Sequence, residues 1–303
     1  MIPKASTAPQ RFTPLRALFA VTSLAVVLSQ GPAAGQDGLS EEEKARLAAS
    51  DGGAAEPAEA APKTLTLPFH DPFDGGALAD SWTAVNGNPD LYVVEGGEVF
   101  ALQTGGKSHP SNGDIANIFT LNDALPLSDF DMSMKARLDA KTGYDGAWLG
   151  LRSGPDDYLA ATLLTYTQGC GTSLYLSVEN GRVFEEGGKM QTSSFTDNLF
   201  DGPILDGICG KEGRAAADKV LAHIQETGFT LTLARRGMRY HAEVELDLPP
   251  LGEDSGGVKR FSTHAVSRVE PFGTPFFMVG QSSKAKNGET TVEFKDISIV
   301  AAR

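Results

Sequence analysis

After Thr64, apolar and polar residues alternate along most of the chain, with the period of two that lets a strand turn one face to a core and the other to solvent. The alternating runs are TLTLPF (Thr64 to Phe69), LYVVEGGEVFALQ (Leu91 to Gln103), FDMSMKARL (Phe130 to Leu138), YDGAWLGLR (Tyr144 to Arg152) and YLAATLLTY (Tyr158 to Tyr166). They continue as SLYLSVENGRVFEE (Ser173 to Glu186), FTLTLARRGMRYHAEVEL (Phe229 to Leu246), PFFMVGQSS (Pro275 to Ser283) and TTVEFKDISIV (Thr290 to Val300). Gly96-Gly97, Asn180-Gly181, Arg236-Gly237 and Asn287-Gly288 read as tight reversals, because Gly and Asn accept positive φ at low cost. The pattern predicts an all-β sandwich of two antiparallel sheets.

Two stretches depart from the alternation. Gly213 to Thr227 places Ala216, Val220, Leu221 and Ile224 on one helical face, which predicts a short helix inserted between strands and capping one open end of the sandwich. Gln191 to Gly213 has no clear period and reads as a long loop. Within YDGAWLGLR, Ala147, Leu149 and Leu151 share one face, and Gly146, Trp148, Gly150 and Arg152 share the other. That second face is a candidate binding surface, since its glycines leave room for a flat ligand beside an aromatic ring and a guanidinium. Alternation alone leaves open whether Trp148 faces the core or a ligand.

The chain ends alter the picture. Lys4, Arg11 and Arg16 precede the apolar run Ala17 to Leu28 and the small residues Gly31 to Gly35, so residues 1–35 read as a cleavable signal peptide. Residues 36–63 are rich in Ala, Glu, Gly and Pro and lack aromatics, the composition of a disordered linker. Residues 64–303 form the predicted sandwich domain. The two cysteines, Cys170 and Cys209, lie in Gly-rich settings and are expected to pair in an oxidising compartment, periplasmic or extracellular. A formal net charge of -13 disfavours nucleic acid and anionic lipid as partners, and no membrane insertion is expected once the leader is removed.

Taken in order, FHDPFDGGALADSW (Phe69 to Trp82), LYVVEGGEVFAL, SDFDMSMKARL, GAWLGLRSGPDDYLAATL, FTLTLARRGMRYHAEVEL, FMVGQSS and VEFKDISIV resemble the concanavalin A-like lectin and glucanase superfamily. More narrowly the chain is similar to the laminin G-like and glycosidase-accessory jelly rolls of bacteria. The resemblance implies a jelly roll whose concave sheet holds glycans, and it implies no particular enzyme. In that superfamily a calcium often links the first and last strands, for which Asp71, Asp74 and Asp296 are the candidate ligands here; the alternative is that Asp71 and Asp74 cap turns while Asp296 faces water.

Catalytic marks of the superfamily are missing. The laminarinase type uses E-x-D-x-x-E on one strand. The nearest approach here is Glu243, Glu245 and Asp247 on one strand face, without the final glutamate. There is no HExxH and no GxSxG. The expected ligand-binding residues are Trp148 and Arg152, with Tyr144, Tyr166, Tyr175 and Gln281 as neighbours: flat rings match the C-H face of a sugar, and Arg and Gln supply directional hydrogen bonds. His109, Asn112 and Asp114 lie in a polar loop, SHPSNGD, that borders the groove or simply turns. The expected function is an exported non-catalytic module that binds a glycan or cell-envelope polysaccharide. The alternatives are an extracellular glycoside hydrolase or lyase and a structural envelope protein without a ligand.

Overall fold

The computed structural model describes residues 63–302, apart from residue 107, residues 270–272 and residues 286 and 287. The leader and the linker lie outside the described residues, as does Asn287 of the expected Asn-Gly reversal. Strands within this range form two antiparallel sheets packed face to face.

The larger sheet runs in the order β13 (Gly257–Ser262), β12 (Arg239–Leu248), β11 (Phe229–Arg236), β6 (Phe130–Asp139), β16 (Glu289–Ala301), β4 (Glu98–Thr104) and β3 (Tyr92–Glu95). Two short strands join its flanks, β1 (Phe69–Asp71) on β16 and β14 (Val266–Ser267) on β12. The smaller sheet runs β10 (Gln191–Asn198), β9 (Gly171–Arg182), β8 (Asp157–Gln168), β7 (Asp145–Gly154), β15 (Thr274–Gln281), β5 (Ile118–Leu121) and β2 (Trp82–Val85). The predicted sandwich is thus the observed one.

Between the sheets lies the main core. Met132 and Met134 of β6, Leu231 and Leu233 of β11, Val244 and Leu246 of β12 and Phe294 of β16 belong to one buried cluster with Leu149, Leu163, Leu176, Val178 and Phe277 of the smaller sheet. The larger sheet keeps the alternation legible: burial along β6 and β12 switches at nearly every residue, so its outward face is wet. The smaller sheet does not. Most of β7, β8 and β15 is buried on both faces, because a second apolar cluster of Ile115, Ile118, Trp148, Tyr158, Ala160, Phe276 and Met278 sits on its outward side. The segment from Ser108 to Asn117 folds over that side and closes it. Ser108 bonds both ways with the backbone of Gln281, at 2.8 and 3.2 Å, and Asn86 Nδ2 donates to the carbonyls of Gly113 and Ile115 at 2.6 and 2.9 Å.

Three sequence expectations change. Asn180-Gly181 is not a reversal but lies inside β9. A Cβ on Gly181 would lie 2.4 Å from the ring of Tyr158, so the glycine is there to seat an aromatic. Gln191 to Asn198, expected as loop, is the edge strand β10, paired residue for residue with β9 from Arg182 back to Tyr175. Its first six residues are exposed on both faces, so it carries no apolar alternation. Of Thr64 to Phe69, only Phe69 enters a strand, although Thr64 makes an isolated bridge to Ala124.

The helix α1 spans Lys211–Thr227 and buries Ala217, Val220 and Ile224. Ala217 takes the place expected for Ala216. The helix packs against β6, β9 and β12, so it touches both sheets and caps the sandwich. It ends at Gly228, whose φ of 75° and a carbonyl 2.7 Å from any added Cβ leave room only for glycine. No helix among the described residues is long and apolar enough to cross a membrane. Cys170 and Cys209 form the expected disulfide, Cα atoms 4.9 Å apart, which ties the turn between β8 and β9 to the start of α1.

Candidate functional site

Two adjoining cavities open on the outward face of the smaller sheet. The first, about 480 Å³, is bounded by Tyr144, Asp145, Trp148, Tyr166, Gln281 and His109, among others. The second, about 390 Å³, is bounded by Tyr166, Tyr175, Gln168, Ser177, Glu179 and Thr196. His109, Trp148, Leu164 and Tyr166 border both, so together they make one groove crossing from β15 to β10. Strand register explains the gathering. Leu164 of β8 lies opposite Gly146 of β7 and Tyr175 of β9, and Trp148 lies opposite Thr162, so side chains two apart along each strand line one face.

Five of the six expected binding residues reach this groove. Trp148 reaches it as a wall more than a platform: it is 6% exposed, and His109 stands edge-on to it at 4.9 Å between ring centroids. Its indole nitrogen lies 2.4 Å from where a Cβ on Gly280 would be. The space that glycine leaves is therefore filled by the protein's own tryptophan, not by a ligand. Gly146 and Gly150 are likewise closed off, their would-be Cβ atoms 2.9 Å from Leu164 Cβ and 2.4 Å from the Leu159 carbonyl. Gln281 borders the groove but its amide is engaged in the fold: Oε1 accepts from Gly106 N at 2.6 Å, and Nε2 donates to Gly288 O at 3.0 Å and Thr290 Oγ1 at 2.9 Å. Arg152 borders neither cavity. It is buried near the far end of β7, where burial lowers its pKa, and its Nε has no hydrogen-bond partner.

The half-exposed ring faces belong to the tyrosines. Tyr144 and Tyr166 stand edge to face at 5.3 Å and 88°, and Tyr166 and Tyr175 at 6.3 Å and 90°. Two of the three hydroxyls are tied down, Tyr144 donating to Thr167 O at 3.0 Å and Tyr175 accepting from Gln168 Nε2 at 2.8 Å.

Glu179 is, with Asp145, Gln168, Ser177 and Thr196, among the groove residues that sequence reasoning missed. Its carboxylate accepts from His109 Nε2 at 3.1 Å and from the hydroxyl of buried Tyr158. His109 Nδ1 meets the Ser111 hydroxyl at 2.8 Å and accepts from the Ser111 amide at 3.3 Å, a pattern that leaves Nε2 as the donor. Burial alone would raise the Glu179 pKa, but the bonds from His109 and Tyr158 outweigh it and hold the carboxyl below its ordinary range. Tyr158 is pushed up, first by burial and then by the neighbouring carboxylate. The sequence signal existed: Tyr175, Ser177 and Glu179 alternate along β9, and His109 sits in the polar loop already singled out.

Glu243, Glu245 and Asp247 lie elsewhere, on the outward face of the larger sheet, where Glu243 pairs with His241 at 2.9 Å, Glu245 with Arg260 at 3.0 Å and Asp247 with His223 at 3.4 Å. The carboxylates expected at calcium are also engaged. First and last strands do meet, Asp71 opposite Ile297. Yet Asp71 accepts from Phe73 N at 2.8 Å and Trp82 Nε1 at 2.7 Å, while Asp296 pairs with Lys135 at 2.7 Å, which holds its pKa below the usual carboxylate value. Asp74 is exposed. These donors do not fit a shared cation, and no His, Cys, Asp and Glu cluster suited to a metal occurs among the described residues.

No family model and no curated protein matches the chain. Among solved structures it is similar to a mutant of the GH43 protein BlXynB from Bacillus licheniformis, at 11% identity and TM-score 0.50, over 77% of this chain and 39% of that one. It is also similar to a Bacteroides ovatus mixed linkage glucan GH16 in complex with its product (9% identity, TM-score 0.44, 77% and 99% coverage). A legume lectin-like domain from Entamoeba histolytica matches at 12% identity and TM-score 0.41, over 74% and 91%. The chain spans about two fifths of the length of the first of these. The likeness is one of fold, a sandwich of two antiparallel sheets.

Proposed function

We propose that this protein is an exported, non-catalytic module that binds a glycan, such as a cell-envelope polysaccharide, along the groove of its smaller sheet. The observation that carries the reading is the row of half-exposed tyrosine faces, Tyr144, Tyr166 and Tyr175, along an open groove of two joined cavities. Aromatic faces cover the C-H face of a sugar ring, and the polar edges at Gln168, Ser177 and Thr196 offer hydrogen bonds to hydroxyls. The disulfide supports an oxidising compartment.

The binding reading is favoured over hydrolysis by the carboxylates. Glycoside hydrolysis commonly needs one carboxyl held protonated as an acid and a second as base or nucleophile. Of the two carboxylates bordering the groove, Glu179 is held below its ordinary range, the wrong direction for an acid. Asp145 is fully buried and accepts from Thr142 N at 2.9 Å, Gly143 N at 3.0 Å and the hydroxyls of Thr142 and Thr290. A glycan array followed by product analysis on each hit tests the proposal. Binding without turnover is expected. Release of reducing sugar overturns the non-catalytic part, and silence across neutral and charged glycans overturns the binding.

A further inference from the structure

The tyrosine row has a feature that a neutral sugar platform does not require. The three rings stand at right angles in succession, 88° and then 90°, and come from neighbouring strands or their ends. Tyr144 and Tyr166, which border one cavity together, form a two-sided open box, and Tyr175 continues the row into the second cavity. The Lys284 ammonium lies over the Tyr166 ring, 4.5 Å from its centroid. Lys284 is exposed and sits on the short 3-10 turn Ser283–Ala285 between β15 and β16, so its cation reaches the box from outside the sheet. Contact with the Tyr166 hydroxyl raises its pKa, in keeping with a site that favours positive charge.

The Asp145 carboxylate borders the same cavity as Tyr144 and Tyr166. Its four hydrogen-bond donors, two amides and two hydroxyls, are all neutral, so none of them supplies a counter-charge. Aromatic faces attract cations through the ring quadrupole, and perpendicular rings around one position are the arrangement by which proteins hold alkylammonium groups. Because the Tyr144 and Tyr175 hydroxyls are already fixed by the backbone of β8 and by Gln168, little ordering is needed when a cation arrives.

We infer that the Tyr144 and Tyr166 box is a cation subsite whose Tyr166 face Lys284 covers in the free protein, and that the ligand is a glycan bearing a protonated amine, a de-acetylated amino sugar, whose ammonium displaces the lysine. The inference rests on the groove being a glycan site and adds the charge of its ligand. An amine next to a sugar ring satisfies both halves of the groove, the stacked face and the box.

The test is isothermal titration of the full chain with three probes of equal length: a glucosamine oligomer, its N-acetylated counterpart and a glucose oligomer. The amine oligomer is expected to bind roughly tenfold tighter than either neutral one. Lys284→Ala removes the internal competitor and is expected to raise amine-oligomer affinity about threefold. Tyr166→Leu is expected to abolish the preference while leaving the net charge unchanged, which separates the box from general attraction to an acidic protein. Far-UV circular dichroism of each variant checks the fold. Equal affinity for all three oligomers overturns the inference but leaves the glycan reading standing. Lack of binding by any of them removes both. An amine preference that survives Tyr166→Leu, or an affinity that Lys284→Ala does not raise, also overturns it.

Discussion

The two outward faces of this sandwich use one backbone pattern for opposite ends. On the larger sheet, cross-strand neighbours are charged and pair with each other: Arg137 with Glu293, Lys295 with Glu98 at 2.7 Å, Lys135 with Asp296 at 2.7 Å and Arg260 with Glu245 at 3.0 Å. Such a face satisfies itself, and exposed pairs of this kind add little stability. On the smaller sheet the outward positions are aromatic and apolar, and the protein covers the centre with its own Ser108 to Asn117 segment. Where that cover stops, ring faces are left over. The charged face spends its side chains on one another, whereas the aromatic face keeps tyrosine rings open to a groove.

The comparison can be broken most forcefully at Trp148. Replacing it by Ala removes the centre of the covered cluster and is expected to cost about 3–5 kcal/mol, read from urea denaturation. A loss below about 1 kcal/mol would place Trp148 with the charged face rather than the core. Next comes the disulfide. Cys170→Ser with Cys209→Ser opens a loop with a sequence separation of 39, and loop entropy sets the expected loss at about 4 kcal/mol at the upper end. Retained stability would mean that α1 and the tip of β8 and β9 hold together without it.

A smaller effect separates the two faces by pH. Glu179 has a depressed pKa in the folded protein, so its contribution is present above the unfolded carboxylate pKa and is lost as pH falls through the folded value. Denaturation midpoints of the wild type should therefore drop more steeply than those of Glu179→Gln as pH is lowered through the carboxylate range. Glu179→Ala at neutral pH leaves the buried Tyr158 hydroxyl without its acceptor and is expected to cost about 1–3 kcal/mol. Parallel pH curves for wild type and Glu179→Gln would refute the stabilising role of the bonds from His109 and Tyr158 to Glu179. The smallest change is expected at Arg137→Ala on the charged face, below about 1 kcal/mol and shrinking with added salt.

This contrast also explains what could be read from the chain. Strands β6 and β12 announce themselves because one face is wet and the other dry, so Met132, Met134 and Ala136, or Ala242, Val244 and Leu246, stand out against polar neighbours. Alternation in β7 was just as visible, but it could not say what lay on the second face. A tryptophan flanked by glycines reads as an open platform unless one knows that Gly280, far along the chain, seats its indole. Asn180-Gly181 failed for the same reason: the glycine serves Tyr158 across the strand pair, and Asn180 accepts from Arg268 Nη1 at 3.0 Å. Strand β10 was missed because an edge exposed on both sides has no dry face to betray it. The pairing of His109 with Glu179 joins a loop to a strand distant in sequence, and only β9 in place on the sheet brings them within reach.

The hydrogen at the α-carbon of Gly280 has a bearing on any attempt to redesign the groove. Because the indole rests where a methyl would be, even the smallest mutation at that codon would displace Trp148, which borders both cavities. A library meant to alter ligand preference should therefore hold position 280 constant and diversify 144, 166 and 175, whose rings border the groove.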